Sequence, residues 1–167
     1  MDLYILRHGI AAERGRGKYA RDAQRPLTAE GERKVLQAAR GMKAIGLRFD
    51  LILSSPYARA RQTAEIIAKA FDLQDNFELT NTLSPAGRTS QLISLINKIT
   101  AKPENILLVG HEPYLSHLIS LLISGRSNAS VTLKKTALCR LSVPKLKAGH
   151  CASLEWLLTA KQLAGME

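Results

Sequence analysis

Leu3-Tyr4-Ile5-Leu6-Arg7-His8-Gly9 is the stretch that decides how this chain folds. Four apolar residues bounded by charge have the length and composition of a strand buried on both faces. Ile106-Leu107-Leu108-Val109 repeats the pattern and runs into Gly110-His111-Glu112-Pro113. Leu51-Ile52-Leu53 is a third such run, followed by Ser54-Ser55-Pro56 with Arg59 and Arg61 beyond. Strands of this kind belong to parallel sheets. Open α/β sheets bind ligands just beyond the carboxyl ends of their strands. Three strand ends that deliver His8, Arg59 and His111 therefore point to one cleft.

The segments between the runs read as helices. Thr28 stands where a cap is needed, and Glu30 and Glu32 complement the dipole of a helix. Val35, Ala38, Ala39, Met42 and Ile45 form its apolar stripe, and Gly46 can close it. A second helix is expected from Pro56, with Ser55 as its cap and Ala60, Ala64, Ile67 and Phe71 facing inward. A short strand is expected near Phe77–Leu79, a helix over about Thr89–Thr100, and another from Pro113 through Ile123. The end of the chain reads as a β-hairpin, Thr136–Val143 with Cys151–Leu158, connected through Pro144 and Gly149. In its second arm, Ala152, Leu154, Trp156 and Leu158 alternate onto one face. The resulting expectation is a single α/β domain over residues 1–167. It has three layers, α/β/α, with a mainly parallel central sheet and a C-terminal β-hairpin at its edge.

Composition narrows the function classes. Of the 167 residues 46% are hydrophobic, enough for one sizeable core, and no apolar run approaches a membrane span. The N-terminal apolar stretch is too short for a signal peptide, so a cytoplasmic location without membrane association is expected. Cys139 falls on the apolar face of its strand and Cys151 on a polar one, so both are expected as free thiols. The net charge is +10, and it is concentrated at the two ends of the chain. Residues 1–61 hold 13 Lys and Arg against 6 acids, residues 62–112 hold 4 against 6, and residues 113–167 hold 7 against 2. Such a balance suits an anionic substrate or nucleic acid. Nucleic acid is disfavoured, because only 5% of residues are aromatic and no stacking or helix-turn-helix signature occurs.

His8 is the candidate nucleophile, since a neutral imidazole nitrogen can attack phosphorus and form a phosphohistidine that water then hydrolyses. Arg7 and Arg59 offer planar paired donors to phosphoryl oxygens, and a protonated His111 would add another. First-turn amides of the helix after Pro56 can point at the same anion, and Gly9 lets the backbone approach closely. Arg59 and Arg61 can also be read as a solvated helix face, and each histidine as a structural residue. The meeting of three strand ends favours the phosphate site. No carboxylate set stands at metal-ligand spacing, so neither a metal nor another cofactor is expected.

Arg7-His8-Gly9, Ser54-Ser55-Pro56-Tyr57-Ala58-Arg59-Ala60 with Gln62-Thr63-Ala64, and Gly110-His111 resemble the histidine phosphatase superfamily. Arg25-Pro26-Leu27-Thr28 and Leu83-Ser84-Pro85-Ala86-Gly87 are similar to its SixA-type phosphohistidine phosphatase branch. The resemblance runs from about residue 2 to residue 125. It implies that His8 is the phosphorylated residue, that Arg7, Arg59 and His111 complete the phosphate pocket, and that Arg25 borders it. The chain departs from the pattern where Arg88 stands in place of an acid after Gly87. No Asp or Glu occurs from Leu79 to Pro103, the region where larger relatives carry a glutamate proton donor. Glu13, Asp22 and Glu112 are the substitutes to consider, each also readable as a surface charge. Expelling an alkoxide needs a proton donor, whereas phosphohistidine leaves as imidazole. The expected substrate is thus a phosphorylated protein, a histidine phosphotransfer protein being one such. The alternatives are a phosphatase of a small metabolite and a non-catalytic module that binds phosphate or nucleic acid.

Overall fold

The computed structural model of the protein describes residues 1–14 and 19–167. Gly15 and Gly17, expected to loosen the first loop, lie outside the described residues. Six strands form one sheet in the order β3-β2-β4-β1-β5-β6. They are β1 (Asp2–Arg7), β2 (Leu51–Ser54), β3 (Phe77–Leu79), β4 (Asn105–Gly110), β5 (Leu138–Ser142) and β6 (Ser153–Leu158). The first four run parallel; β5 is antiparallel to β1, and β6 to β5. The helices are α1 (Ala29–Ala44), α2 (Ala58–Phe71), α3 (Thr89–Asn97), α4 (Tyr114–Ser124) and α5 (Ala160–Ala164).

Each of the three apolar runs is buried on both faces, and that burial separates two cores. Leu3, Ile5, Leu53, Ile106 and Leu108 pack against Leu92 and Ile96 of α3 and Leu115 and Leu118 of α4. Tyr4, Leu6, Ile52, Leu107 and Val109 pack against α1, α2 and Leu163 of α5. The three-layer α/β/α arrangement with a hairpin at one edge follows directly. Thr28 caps α1, accepting from the Gly31 amide at 3.0 Å, and Gly46 takes φ +75° just beyond its end. Both cysteines are free thiols: Cys139 is buried, which pushes its thiol up to about 12, and Cys151 is half-buried.

Three expectations need correction. The second helix begins at Ala58 rather than Pro56, with Tyr57 at its cap position and no side-chain cap. Ser55 is engaged elsewhere, as described below. A fifth helix, α5, follows β6 where residue order suggests none; Thr159 and Gln162 close its capping box. Finally, the alternation assigned to the last strand fails. Arg140 pairs with Trp156 but Leu141 pairs with Leu154, so Glu155 is an extra residue and the faces change phase there. Trp156 packs toward Tyr4, whereas Leu154 is 45% exposed. Cys151 consequently precedes the strand.

Candidate active site

The ends of β1, β4 and β2 lie side by side and are pinned to one another. The His8 amide donates to the Gly110 carbonyl at 3.1 Å, and the Ser55 amide to the Val109 carbonyl at 3.0 Å. His8, His111 and Ser55 are thereby delivered to one edge of the sheet. The imidazole rings of His8 and His111 sit 5.1 Å apart between centroids, and Tyr57 meets His111 edge-on at 5.2 Å. Arg59 reaches the same place from the first turn of α2. Its residue is 4% exposed, while Arg61 faces solvent and reaches Glu65 at 3.6 Å along the helix. The reading of Arg59 as a solvated charge therefore gives way to one in which it belongs to the site.

Hydrogen bonds set the state of His8. Its Nδ1 lies 2.7 Å from the Gly9 carbonyl, an acceptor only, so Nδ1 carries the proton. Its Nε2 lies 3.2 Å from Arg59 Nε, a donor only, so Nε2 carries the lone pair. Burial pushes the imidazole down to about 3; the Gly9 contact opposes this, and the charges of Arg59, Arg7 and Lys135 add to it. His8 is thus a neutral base in a fixed tautomer with its free electron pair directed at the guanidinium.

His111 is also pushed down to about 3, by burial first and then by His8 and Arg59. Its Nε2 meets Ser55 Oγ at 2.8 Å. That hydroxyl also accepts from the Tyr57 amide at 3.3 Å; when it donates its proton to Nε2, the ring proton sits on Nδ1. His111 Nδ1 is buried with no partner among the described residues, as is Arg7 Nε. Unsatisfied buried donors are costly in an apolar setting, and an oxyanion is the chemistry that would satisfy them. Arg7 is held by its Nη1, which donates to the Leu133 carbonyl at 2.9 Å.

Asp22 is the participant that a reading as surface charge misses. Its Oδ2 accepts from Arg59 Nη2 at 3.0 Å, its carbonyl from Arg59 Nη1 at 2.8 Å, and its Oδ1 from Arg25 Nε at 2.9 Å. Burial pushes its carboxyl up, but Arg59 and Arg25 together hold it below the usual carboxylate range. A carboxylate held ionised by two guanidiniums is a poor proton donor. Arg25 also donates to the Ala12 carbonyl at 2.9 Å, so it braces Asp22 and the loop rather than touching His8. Glu13 is exposed, and Glu112 accepts from the Ser116 amide at 3.2 Å, at the start of α4. Arg88 is exposed ahead of α3 and also brings no acid to the site.

Gly9 serves packing. A methyl group there would stand 2.8 Å from Val35 and 3.1 Å from Leu27, and its amide donates to Thr63 Oγ1 at 3.1 Å. Thr63 in turn donates to the Arg59 carbonyl at 2.7 Å, which couples the segment after His8 to the helix that carries Arg59. Gln62 accepts from the Leu27 amide at 2.7 Å. Among the described residues no three His, Cys, Asp or Glu side chains converge as a metal site would need. Among the described residues no helix is long and apolar enough to cross a membrane.

Two histidines and an arginine meet at the strand ends of an α/β sheet, and the comparisons with known proteins bear on what such a chain is similar to. The sequence profile of the histidine phosphatase superfamily (branch 1) matches residues 3–84. An uncharacterized protein of Picosynechococcus sp. is 38% identical over 142 residues, which cover 84% of each chain. The phosphohistidine phosphatase SixA of Escherichia coli strain K12 is 28% identical over 138 residues, 82% of this chain and 83% of that one. The solved structure of the protein histidine phosphatase SixA complexed with tungstate shares the fold with a TM-score of 0.82. It does so at 23% identity over 98% of this chain and 99% of that one. The chain belongs to the histidine phosphatase superfamily, in its SixA-type branch, and is a phosphatase.

Proposed function

We propose that the protein is a metal-independent phosphatase that takes the phosphoryl group from phosphohistidine in a protein and carries it transiently on His8. The observation that supports this most is the paired geometry of His8, Nδ1 on the Gly9 carbonyl and Nε2 on Arg59. In the first half-reaction the Nε2 lone pair attacks phosphorus. The Nε2–P bond forms as the substrate's P–N bond breaks, and the electron pair leaves on the substrate imidazole. With that imidazole's other nitrogen protonated, it departs neutral and no proton need be transferred. In the second, water attacks phosphorus, the Nε2–P bond breaks, and dihydrogen phosphate leaves with both protons of the water. Phosphoryl oxygens replace Nε2 and Asp22 as acceptors for Arg59, and the Nδ1 proton of His111 and the free Nε of Arg7 donate to them. Gly9 and Arg25 shape the pocket without touching the reacting atoms.

The preference for a phosphoramidate follows from proton supply. Asp22 is held ionised, Glu13 is exposed, Glu112 accepts from the Ser116 amide, and residues 79–103 contain no acid. The relative named a phosphohistidine phosphatase supports the same substrate. The test is kcat/KM across phosphohistidine, aryl phosphates and alkyl phosphates, with EDTA present throughout. A steep fall with leaving-group pKa is expected, phosphoserine and sugar phosphates being poor. A flat dependence would reveal a hidden proton donor. A strong preference for one alkyl phosphate would assign the site to a small metabolite.

A further inference from the structure

On the β1–β5 side of His8 the molecule holds a second cavity, of about 810 Å³. Arg7 at the end of β1, Lys34 of α1, Lys134 and Lys135 before β5, and Lys161 of α5 line it, together with Thr136. No Asp or Glu does so among the described residues. Lys34 pairs with Glu30 on its own helix at 2.7 Å; Lys134, Lys135 and Lys161 form no ion pair among the described residues. Arg7 borders both this cavity and the phosphate site, and the charge of Lys135 reaches His8 itself.

Thr136 is an independent sign that the cavity takes a ligand. The residue is 1% exposed, yet its hydroxyl has no hydrogen-bond partner among the described residues. Its backbone is held at φ +61°, a left-handed conformation that β-branched residues rarely adopt. What holds it there is its amide, which donates to the Arg7 and His8 carbonyls at 3.0 and 3.4 Å. Backbone strain kept in place beside a nucleophile, with an unsatisfied hydroxyl and a set of unpaired cations, is the arrangement of a recognition site.

We propose that this cavity is a subsite for Asp and Glu side chains that flank the phosphorylated histidine of a protein substrate; it rests on the phosphohistidine reading above. Carboxylates match the charge of Lys134, Lys135 and Lys161 and of the neighbouring Arg7. The lining contains no aromatic ring on which a nucleobase could stack. Its position, with Arg7 shared, places the flanking acids within a few residues of the histidine being dephosphorylated.

Two synthetic phosphohistidine peptides test it, one with Asp and Glu around the histidine and one with Ala and Gln, at physiological ionic strength. The wild-type enzyme is expected to favour the acidic peptide in kcat/KM by about tenfold, through KM rather than kcat. Lys134→Gln combined with Lys161→Gln should remove most of that preference while changing turnover of p-nitrophenyl phosphate by less than about threefold. Equal kcat/KM for the two peptides in the wild-type enzyme would overturn the subsite. So would inhibition by a single-stranded RNA that leaves the peptides undistinguished, which would give the cavity to nucleic acid. If wild-type enzyme cleaves p-nitrophenyl phosphate but neither peptide, the phosphohistidine reading fails first, and the subsite with it.

Discussion

The parallel half of the sheet and its antiparallel edge use similarly apolar strands to different ends. In the parallel half, β1, β2 and β4 are covered on both faces, and His8, Ser55 and His111 each directly follow a strand end. Position along the chain and position in the site coincide there, because a strand buried on both faces has no freedom to slip. At the antiparallel edge, β6 is half covered, a bulge at Glu155 changes its faces, and Leu154 points to solvent. The edge contributes the cationic cavity and the strained Thr136 rather than reacting groups. Burial on both sides goes with chemistry, and the looser edge goes with recognition.

The sharpest way to break this comparison is to remove the groups that the parallel strands deliver. His8→Ala should abolish turnover with the fold intact, and wild-type enzyme quenched in alkaline denaturant should carry phosphate on His8 that acid then releases; robust activity in the variant would falsify the mechanism. Arg59→Ala and His111→Ala should each lose about 10²–10³ in kcat, as for a preorganised charge donor. Arg61→Ala should stay within a few-fold, since its side chain is exposed and bonded only to Glu65. Steady-state kinetics on an aryl phosphate reads all of these.

Packing should divide the two halves in the same way. Leu108 of β4 is fully buried beneath α3 and α4, so Leu108→Ala should cost about 2–5 kcal/mol in a denaturant titration. A loss below 1 kcal/mol would mean that the parallel core can collapse around the change, contrary to its role as the rigid support of the site.

Much of this was legible from residue order. The three apolar runs, the cap at Thr28 and the positions of His8, Arg59 and His111 follow from local pattern and from where α/β sheets bind ligands. What was not legible depends on partners distant in sequence. Ser55 reads as a helix cap because it precedes a proline, but His111 is 56 positions away and takes its hydroxyl. Asp22 reads as a solvated charge in an arginine-rich loop until α2 folds Arg59 against it. α5 spans five residues, too few to show a helical period. The bulge at Glu155 leaves a sequence that alternates correctly on paper, since one extra residue reverses the faces without altering the residue types.

Acid should probe the histidines as a pair. Both sit at about 3 in the folded protein, against an ordinary value of 6.5. Between those limits the unfolded chain binds protons that the folded protein excludes, so the stability they contribute is present above pH 6.5 and is lost as pH falls. The loss should approach about 1.4 kcal/mol per pH unit for each histidine, read by denaturant titration from pH 8 to pH 5. His8→Gln should remove about half of that slope, while leaving the plateau above pH 7 flat. An unchanged slope in His8→Gln would mean that His8 takes up its proton at the same pH in the folded and unfolded protein, contrary to the burial that pushes it down.

The smallest effect belongs to the edge. Leu154 lies opposite Leu141, which is fully buried, yet Leu154 itself is 45% exposed because the bulge turns it away from the face shared by Trp156 and Leu158. Had the strand alternated regularly, Leu154→Thr would remove a core side chain and cost well over 1 kcal/mol. With the bulge in place, the change removes a half-exposed leucine and substitutes a residue with good strand propensity, so stability should move by no more than about 0.5 kcal/mol. The matching change at Trp156, to Ala, strips the ring that packs beside Tyr4 and should cost several times more. Equal losses at the two positions would place both side chains on one face and remove the bulge from the strand. That result would also undo the distinction between a rigid parallel half and an adaptable edge, since β6 would then be as firmly registered as β1.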